Sequence, residues 1–244
     1  MEPQLIKREP LGNGFYVNVS KHHTFGTDAI LLSNFARAKS SDTVCDLGTG
    51  CGIIPLLMIR NGAIKSAVGV DISHEAIALA NKTINELKIE NFNVIEGNLT
   101  DLKGKVPFGA FNLVTCNPPY KAVNAGIKNS DKTIMTARHE IECTLEDIVA
   151  VSSRLLQSGG RLCMCHRPER LAELMGLMSK HKIEPKRLRL VCQREGEEPW
   201  LILCEGRRDG KVGLRIDNNL YVEKDGALSE EMIEIYGAYK EAYL

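Results

Sequence analysis

No stretch of the chain comes near the run of apolar residues needed to span a membrane. The opening, Met1-Glu2-Pro3-Gln4-Leu5-Ile6-Lys7-Arg8-Glu9, has no signal-peptide core. The eight cysteines include no Cys-x-x-Cys pair, and His22-His23 has no partner at metal-ligand spacing, so no metal is assigned. There is no net charge, with 31 Lys+Arg against 31 Asp+Glu, which argues neither for nor against a nucleic-acid partner. Repeats and low-complexity segments are missing as well. These absences set aside membrane, zinc-finger, fibrous and disordered classes. What is present is ordinary for a globular chain of 244 residues with a real core: 43% apolar and 25% charged. The cysteines fall mostly inside apolar runs and read as buried reduced thiols, which fits a cytoplasmic setting.

Charge is unevenly spread along the chain. Basic residues outnumber acidic ones from Arg154 to Arg215, and acidic residues dominate from Ile216 to Leu244. Such a division gives either one positive face or a mixed solvated surface, and the sequence leaves both open.

The chain is organised around residues 44–53, Val-Cys-Asp-Leu-Gly-Thr-Gly-Cys-Gly-Ile. A short apolar strand closes on Asp46, a glycine loop follows, and a helix over Ile53 to Arg60 points its N-terminal amides at the loop. A dinucleotide fingerprint fails here, because Ile53 stands where the third glycine is needed. An acid followed by Gly48-x-Gly50-x-Gly52 suits a ligand with an aminoacyl arm. A second strand, Ser66 to Asp71, ends in another acid, and Ser73 caps a helix through about Lys88. An acid at the second strand tip of a doubly wound sheet can hold both hydroxyls of a ribose. A third strand, Phe92 to Gly97, leads to Asn98, which either reads an adenine edge or makes a turn. A fourth, Phe111 to Cys116, runs into Asn117-Pro118-Pro119-Tyr120. Two prolines stiffen the backbone there. The Asn117 side-chain carbonyl, the Pro118 backbone carbonyl and the Tyr120 ring can together grip a planar group carrying an NH2.

The remaining elements complete an alternating pattern. Thr27 or Asp28 is positioned to cap a helix over Ala29 to Ala38. Thr144 to Asp147 forms a capping box for a helix through Leu156, and a fifth strand covers Arg161 to His166. Arg167-Pro168 opens a helix to about Lys180, and Leu188–Cys192 with Trp200–Cys204 reads as a hairpin. The polar stretch from Lys121 to Arg138 is long enough to be a functional loop. The expectation is an α/β Rossmann-like fold with a seven-stranded, mostly parallel sheet and one antiparallel strand. It forms a single domain: a lead and helix over 1–42, a core over 43–206 and an extension over 207–244.

The glycine loop, Asp71 and Asn117–Tyr120 together resemble the class I S-adenosylmethionine (SAM) methyltransferases that act on amino groups. Phe25-Gly-Thr-Asp-Ala29 and Arg138-His139-Glu140 make the chain similar to a narrower family, the bacterial tRNA adenine-N6 methyltransferases acting beside the anticodon of valine tRNA. That resemblance implies SAM as cofactor, tRNA as partner, and N6 of the unpaired adenine just 3′ of the anticodon as target. It implies Thr27 and Asp28 near the methionine end of SAM, and Asp46, Gly48, Gly50 and Gly52 at its amino-acid portion. Asp71 with Ile72 falls at the ribose and Asn98 with Leu99 at the adenine, where the family often carries Asp in place of Asn98. Asn117, Pro118 and Tyr120 become the catalytic grip, and Lys121, Arg138, His139 and Arg167 face the substrate; from the basic stretch after Arg154, Arg161, Arg167 and Arg170 are expected to meet phosphates. Competing readings are a ribosomal-RNA methyltransferase, an idle binding module and a protein-glutamine methyltransferase, which shares the Asn-Pro-Pro-Tyr grip. The last usually carries a helical domain ahead of the core, for which the 43 residues before Val44 leave little room.

Overall fold

The computed structural model describes residues 5–119 and 143–241. A hairpin of β1 (Lys7–Gly12) and β2 (Phe15–Val19) leads into α1 (Thr27–Phe35). The alternating body follows: β3 (Thr43–Leu47), α2 (Ile53–Arg60), β4 (Ser66–Asp71), α3 (His74–Leu87), β5 (Phe92–Glu96) and β6 (Phe111–Cys116). Beyond residue 143 come α4 (Leu145–Leu155), β7 (Leu156–His166), a single 3-10 turn over Pro168–Arg170, α5 (Leu171–Lys180), β8 (Ile183–Cys192) and β9 (Pro199–Arg208). The chain closes with two-residue strands β10 (Arg215–Ile216), β11 (Leu220–Tyr221), β12 (Glu223–Lys224) and β13 (Ala227–Leu228), then α6 (Glu230–Tyr236) and α7 (Ala238–Glu241). No helix among the described residues is long and apolar enough to cross a membrane.

The main sheet has the order β10-β8-β9-β7-β6-β3-β4-β5, with β11 also paired to β8. Its seven long strands are parallel except β9, which runs against both β7 and β8. The two dipeptide strands on β8 raise the total to nine, because the tail lays two short pieces along the open β8 edge. From β3 the chain steps outward to β4 and β5, then returns to place β6 on the other side of β3. This reversal opens a crevice at the C-terminal ends of β3 and β6.

Strand alternation builds two apolar layers. Val44, Leu113, Cys163, Cys165, Leu201 and Leu203 face the layer under α1, α2 and the first hairpin. Cys45, Val114, Leu162, Met164, Ile202 and Cys204 face the layer under α4 and α5. Each fully buried side chain of this kind contributes about 1.5–3 kcal/mol. None of the eight cysteines forms a disulfide, and all but Cys143 are buried.

Side chains cap the starts of α3, α4 and α6, whereas α1, α2 and α5 have no side-chain cap. The Ser73 hydroxyl accepts from the Ala76 amide at 3.3 Å, and Thr144 with Asp147 completes a capping box, both as the sequence predicts. Helix α1 differs: its N-cap is Gly26, and neither Thr27 nor Asp28 caps it. Asp28 Oδ1 instead accepts from the adjacent Ala29 amide at 2.9 Å. Strand β7 also starts earlier than Arg161, at Leu156, because the pairing with β6 jumps from Phe111–Leu156 to Leu113–Arg161. Gly159, at φ 78, sits in the extra residues of that bulge. Strands β8 and β9 extend away from the hairpin turn, past Leu188 and Cys204, to Ile183 and Arg208.

Candidate active site

Parallel pairing sets Leu47 beside Cys116, so the residues that follow each strand, Gly48 and Asn117, emerge next to one another at the crevice. A cavity of about 600 Å3 opens there, within the range of small-molecule and cofactor sites. Its walls come from every loop at the C-terminal ends of β3 to β7 and from the start of α1.

The glycine loop is folded onto β4. The amides of Gly48 and Thr49 both donate to the Val70 carbonyl, at 2.8 and 3.0 Å. Gly48 and Gly50 have φ of 68° and 56°, and a Cβ on either would meet nothing within 4 Å. These positions line the cavity and leave it open to a ligand that approaches the backbone. Gly52 does not line it. At φ 84° it is the N-cap of α2, and a Cβ there would press on Phe92 at 3.0 Å, so this glycine serves packing.

The two acids of the loop have different places. Asp71 ends β4 in the cavity wall, with Oδ2 accepting from the Gly50 amide and Oδ1 from the Ser73 amide, each at 2.8 Å. Asp46 is 1% exposed and lies beneath the floor, outside the lining. Thr49 and Thr115 hydroxyls donate to its two oxygens at 2.7 and 2.6 Å. Burial pushes its carboxyl up to about 7, partly opposed by these two bonds and assisted by the charge of Asp71. Through these two bonds Asp46 supports the loop from below. Thr27 lies outside the lining, and its hydroxyl meets Tyr236 Oη at 3.3 Å.

The rest of the wall comes from neighbouring strand tips. Asp28, Ile72, Asn98 and Leu99 line the cavity. The Asn98 side-chain carbonyl accepts from the Thr100 amide and hydroxyl at 2.9 and 2.8 Å, which leaves Nδ2 as the donor on that side chain. Asn117 and Pro118 line it at the β6 tip, and the Cys165 thiol donates to Asn117 Oδ1 at 3.1 Å. His166, 4% exposed, closes β7 and accepts at Nδ1 from the Arg167 amide at 2.8 Å. Burial and the nearby Arg170 charge lower its pKa to about 4, so it is neutral at neutral pH. The wall thiols are inert: burial pushes Cys143 up to about 11 and Cys116 well above the ordinary range.

Among the sequence-predicted substrate residues, Arg167 lines the cavity and donates to the Trp200 carbonyl at 3.0 Å. Arg170 lines it too, paired with Glu173. Arg161 does not reach it. Its guanidinium is held at the other end of β7 by Asp42 at 3.0 Å and the Ala36 carbonyl at 2.7 Å. Tyr120, Lys121, Arg138 and His139 lie outside the described residues, as does the stretch between them. Sequence reasoning missed Thr115, Cys165, His166 and Gly69. Only Gly69 carries a readable signal, a glycine inside an apolar strand, and a Cβ there would sit 2.8 Å from Thr49.

The switch-point crevice, its glycine loop and the acid at the β4 tip define an α/β enzyme built for a nucleoside cofactor with an aminoacyl arm. The chain belongs to the family described as a methyltransferase domain, which matches residues 38–203. It is similar to proteins named tRNA1(Val) (adenine(37)-N6)-methyltransferase. The one from Porphyromonas gingivalis is 27% identical over 192 residues, 75% of this chain and 73% of that one. Those from Parabacteroides distasonis and Aeromonas salmonicida are 26% and 25% identical, covering 84% and 73% of this chain and 89% and 74% of theirs. Among solved structures, one described as a predicted O-methyltransferase from Agrobacterium tumefaciens superposes with a TM-score of 0.69 at 20% identity, over 87% of this chain and 96% of that one. Geranyl diphosphate C-methyltransferase from Streptomyces coelicolor, solved with S-adenosyl-L-homocysteine, gives 0.54 at 16% identity, over 75% and 77%. These likenesses carry the fold.

Proposed function

We propose that this chain transfers the methyl group of SAM to N6 of an unpaired adenine in tRNA, the base just 3′ of the anticodon. The observation that carries the reading is the juxtaposition of a cofactor-type glycine loop with Asn117 and Pro118 across the β3–β6 switch point. The substrate class draws on the named relatives, which cover most of both chains. The reading treats the chain as one domain working in the cytoplasm.

The residues present fit SAM. The open faces of Gly48 and Gly50 admit an aminoacyl arm against the backbone. Each Asp71 oxygen already takes one backbone donor and has a second acceptor position for a ribose hydroxyl. Ile72 and Leu99 offer apolar faces to a flat ring, and Asn98 Nδ2 can donate to a ring nitrogen. When bound, SAM supplies a methyl group already activated by its sulfonium.

The chain's own part is binding and aim. The Asn117 side-chain carbonyl and the Pro118 carbonyl accept the two hydrogens of the target NH2 and turn its lone pair toward the cofactor. Cys165 fixes Asn117 Oδ1 through one of its two acceptor positions. Positioning of this sort can supply roughly 7–11 kcal/mol of the barrier. His166 is not the base: its neutral ring accepts at Nδ1 from the Arg167 amide and so carries its proton on Nε2. The proton leaves to water after the methyl arrives. An unpaired loop base is the cheapest to extrude into such a cleft.

The test offers purified protein and labelled SAM to unmodified tRNA, ribosomal RNA, duplex DNA and a release-factor protein in parallel. Label in tRNA supports the reading. Label in a protein glutamine with none in tRNA replaces it with the glutamine methyltransferase, whose carboxamide NH2 the same acceptor pair would fit.

A further inference from the structure

At the opposite, N-terminal edge of the strands lies a second cavity of about 420 Å3. Six side chains in its lining are cationic, Arg37, Lys39, Arg161, Lys186, Arg187 and Arg215, and one, Glu205, is anionic. It is remote from the cleft: from Arg161 to His166, five steps along β7 at about 3.3 Å each amount to about 17 Å.

Two of these arginines are built into the protein. The Arg161 and Arg187 side chains are 15% and 7% exposed, and both reach Glu205 Oε2, at 3.4 and 3.1 Å. Backbone carbonyls steady them: Arg161 donates to Ala36 and Arg187 to Phe35. The available carboxylates are shared out. Asp42 serves Arg161 at 3.0 Å, and Asp217 serves Arg215 at 2.9 Å while standing 3.8 Å from Arg187 Nε. That last distance is beyond a hydrogen bond, and Arg187 Nε is a buried donor with no acceptor. Lys186 donates to the Lys211 carbonyl. Arg37 and Lys39 have no carboxylate partner among the described residues, and both are exposed at the rim. Burial lowers the pKa of Arg187, and the charge of Arg37 adds to that.

Here six cations meet three carboxylates, Glu205, Asp42 and Asp217. The surplus is concentrated in a concave space, with guanidinium forks on the floor and two unengaged cations on the rim. We propose that this cavity binds a phosphate group. A phosphate offers several acceptor oxygens at once, which suits paired guanidinium forks better than a lone carboxylate does. The group is the same in a nucleic-acid backbone and in a small phosphorylated molecule, and the site stands apart from the methyl-transfer reading.

The experiment titrates the full chain with inorganic pyrophosphate at low ionic strength by calorimetry. The variants are Arg37→Ala/Lys39→Ala and its charge-reversed form, Arg37→Glu/Lys39→Glu, with SAM affinity followed as the check on folding. The wild-type protein is expected to bind, the alanine pair to bind at least tenfold more weakly, and the charge-reversed pair not at all. A second arm measures tRNA affinity against salt. A log–log slope reduced by about 0.7 for each lost contact assigns the site to an RNA backbone. Unchanged RNA affinity with lost pyrophosphate binding assigns it to a small phosphorylated ligand. If pyrophosphate does not bind the wild-type protein and RNA affinity is unchanged in both variants, the proposal is overturned. Pyrophosphate binding by a protein that methylates no RNA would sink the preceding reading and leave this site standing.

Discussion

Asn117 and Asp71 line one cavity from two strand tips, and their substitutions should separate binding from chemistry. Asp71→Ala removes an anchor that also receives the Gly50 and Ser73 amides. SAM affinity should fall by about 1–3 kcal/mol, the scale of a lost charge-assisted hydrogen bond, read by calorimetry. Asn117→Ala should keep SAM affinity and lose about two orders of magnitude in single-turnover rate, because the acceptor proposed to grip the target nitrogen matters in the transition state. Loss of SAM binding with an intact rate at saturation would reverse the two roles. Asp46 makes a third case, governed by pH. Its carboxyl titrates near 3.8 when unfolded and near 7 when buried in the fold. Between those values the unfolded chain releases the proton and the folded chain keeps it, so this group lowers stability as pH rises from about 4 to about 7. Asp46→Asn does not titrate. Its urea midpoint should therefore fall less than that of the wild-type protein between pH 5 and 7; equal slopes would place the titration elsewhere.

At the scale of elements, the crevice depends on how closely β4 approaches the glycine loop. Gly69 is the point of contact, since a Cβ there would come within 2.8 Å of both Thr49 Cγ2 and Oγ1. Gly69→Ala should displace Thr49 from Asp46 and destabilise the protein by about 1–3 kcal/mol, with SAM affinity reduced as well. A urea midpoint equal to the wild-type value would show that the loop has room to give. What the sequence made legible follows the range of the forces involved. The glycine loop, the acid ending β4 and the Asn-Pro-Pro run after β6 are contiguous patterns, and the strand tips bring all three to one cavity. The start of α1 was misjudged by a residue or two, because Asp28 bonds its neighbour Ala29 instead of capping. Long-range partners had no local mark. Thr115 donates to Asp46 across 69 positions and Cys165 to Asn117 across 48. Arg161 carries no local mark of its place either: it sits away from the cleft, beside Asp42 at the start of β7.

Over the whole molecule, the acidic tail pairs with part of the basic third. Arg189 pairs with Glu231 at 2.6 Å, Arg194 with Glu223 at 2.6 Å, and Arg215 with Asp217 at 2.9 Å. The tail that lies along β8 thus takes up Arg189, Arg194 and Arg215 and leaves most of the basic residues to other partners. For the proposed reaction the target atom is the direct readout. The decisive measurement is mass spectrometry of nucleosides and oligonucleotide fragments from unmodified tRNA incubated with the protein and isotopically labelled SAM. The account predicts label in N6-methyladenosine, within the fragment carrying the base just 3′ of the anticodon. Label in any other nucleoside, or tRNA recovered without label, would contradict it.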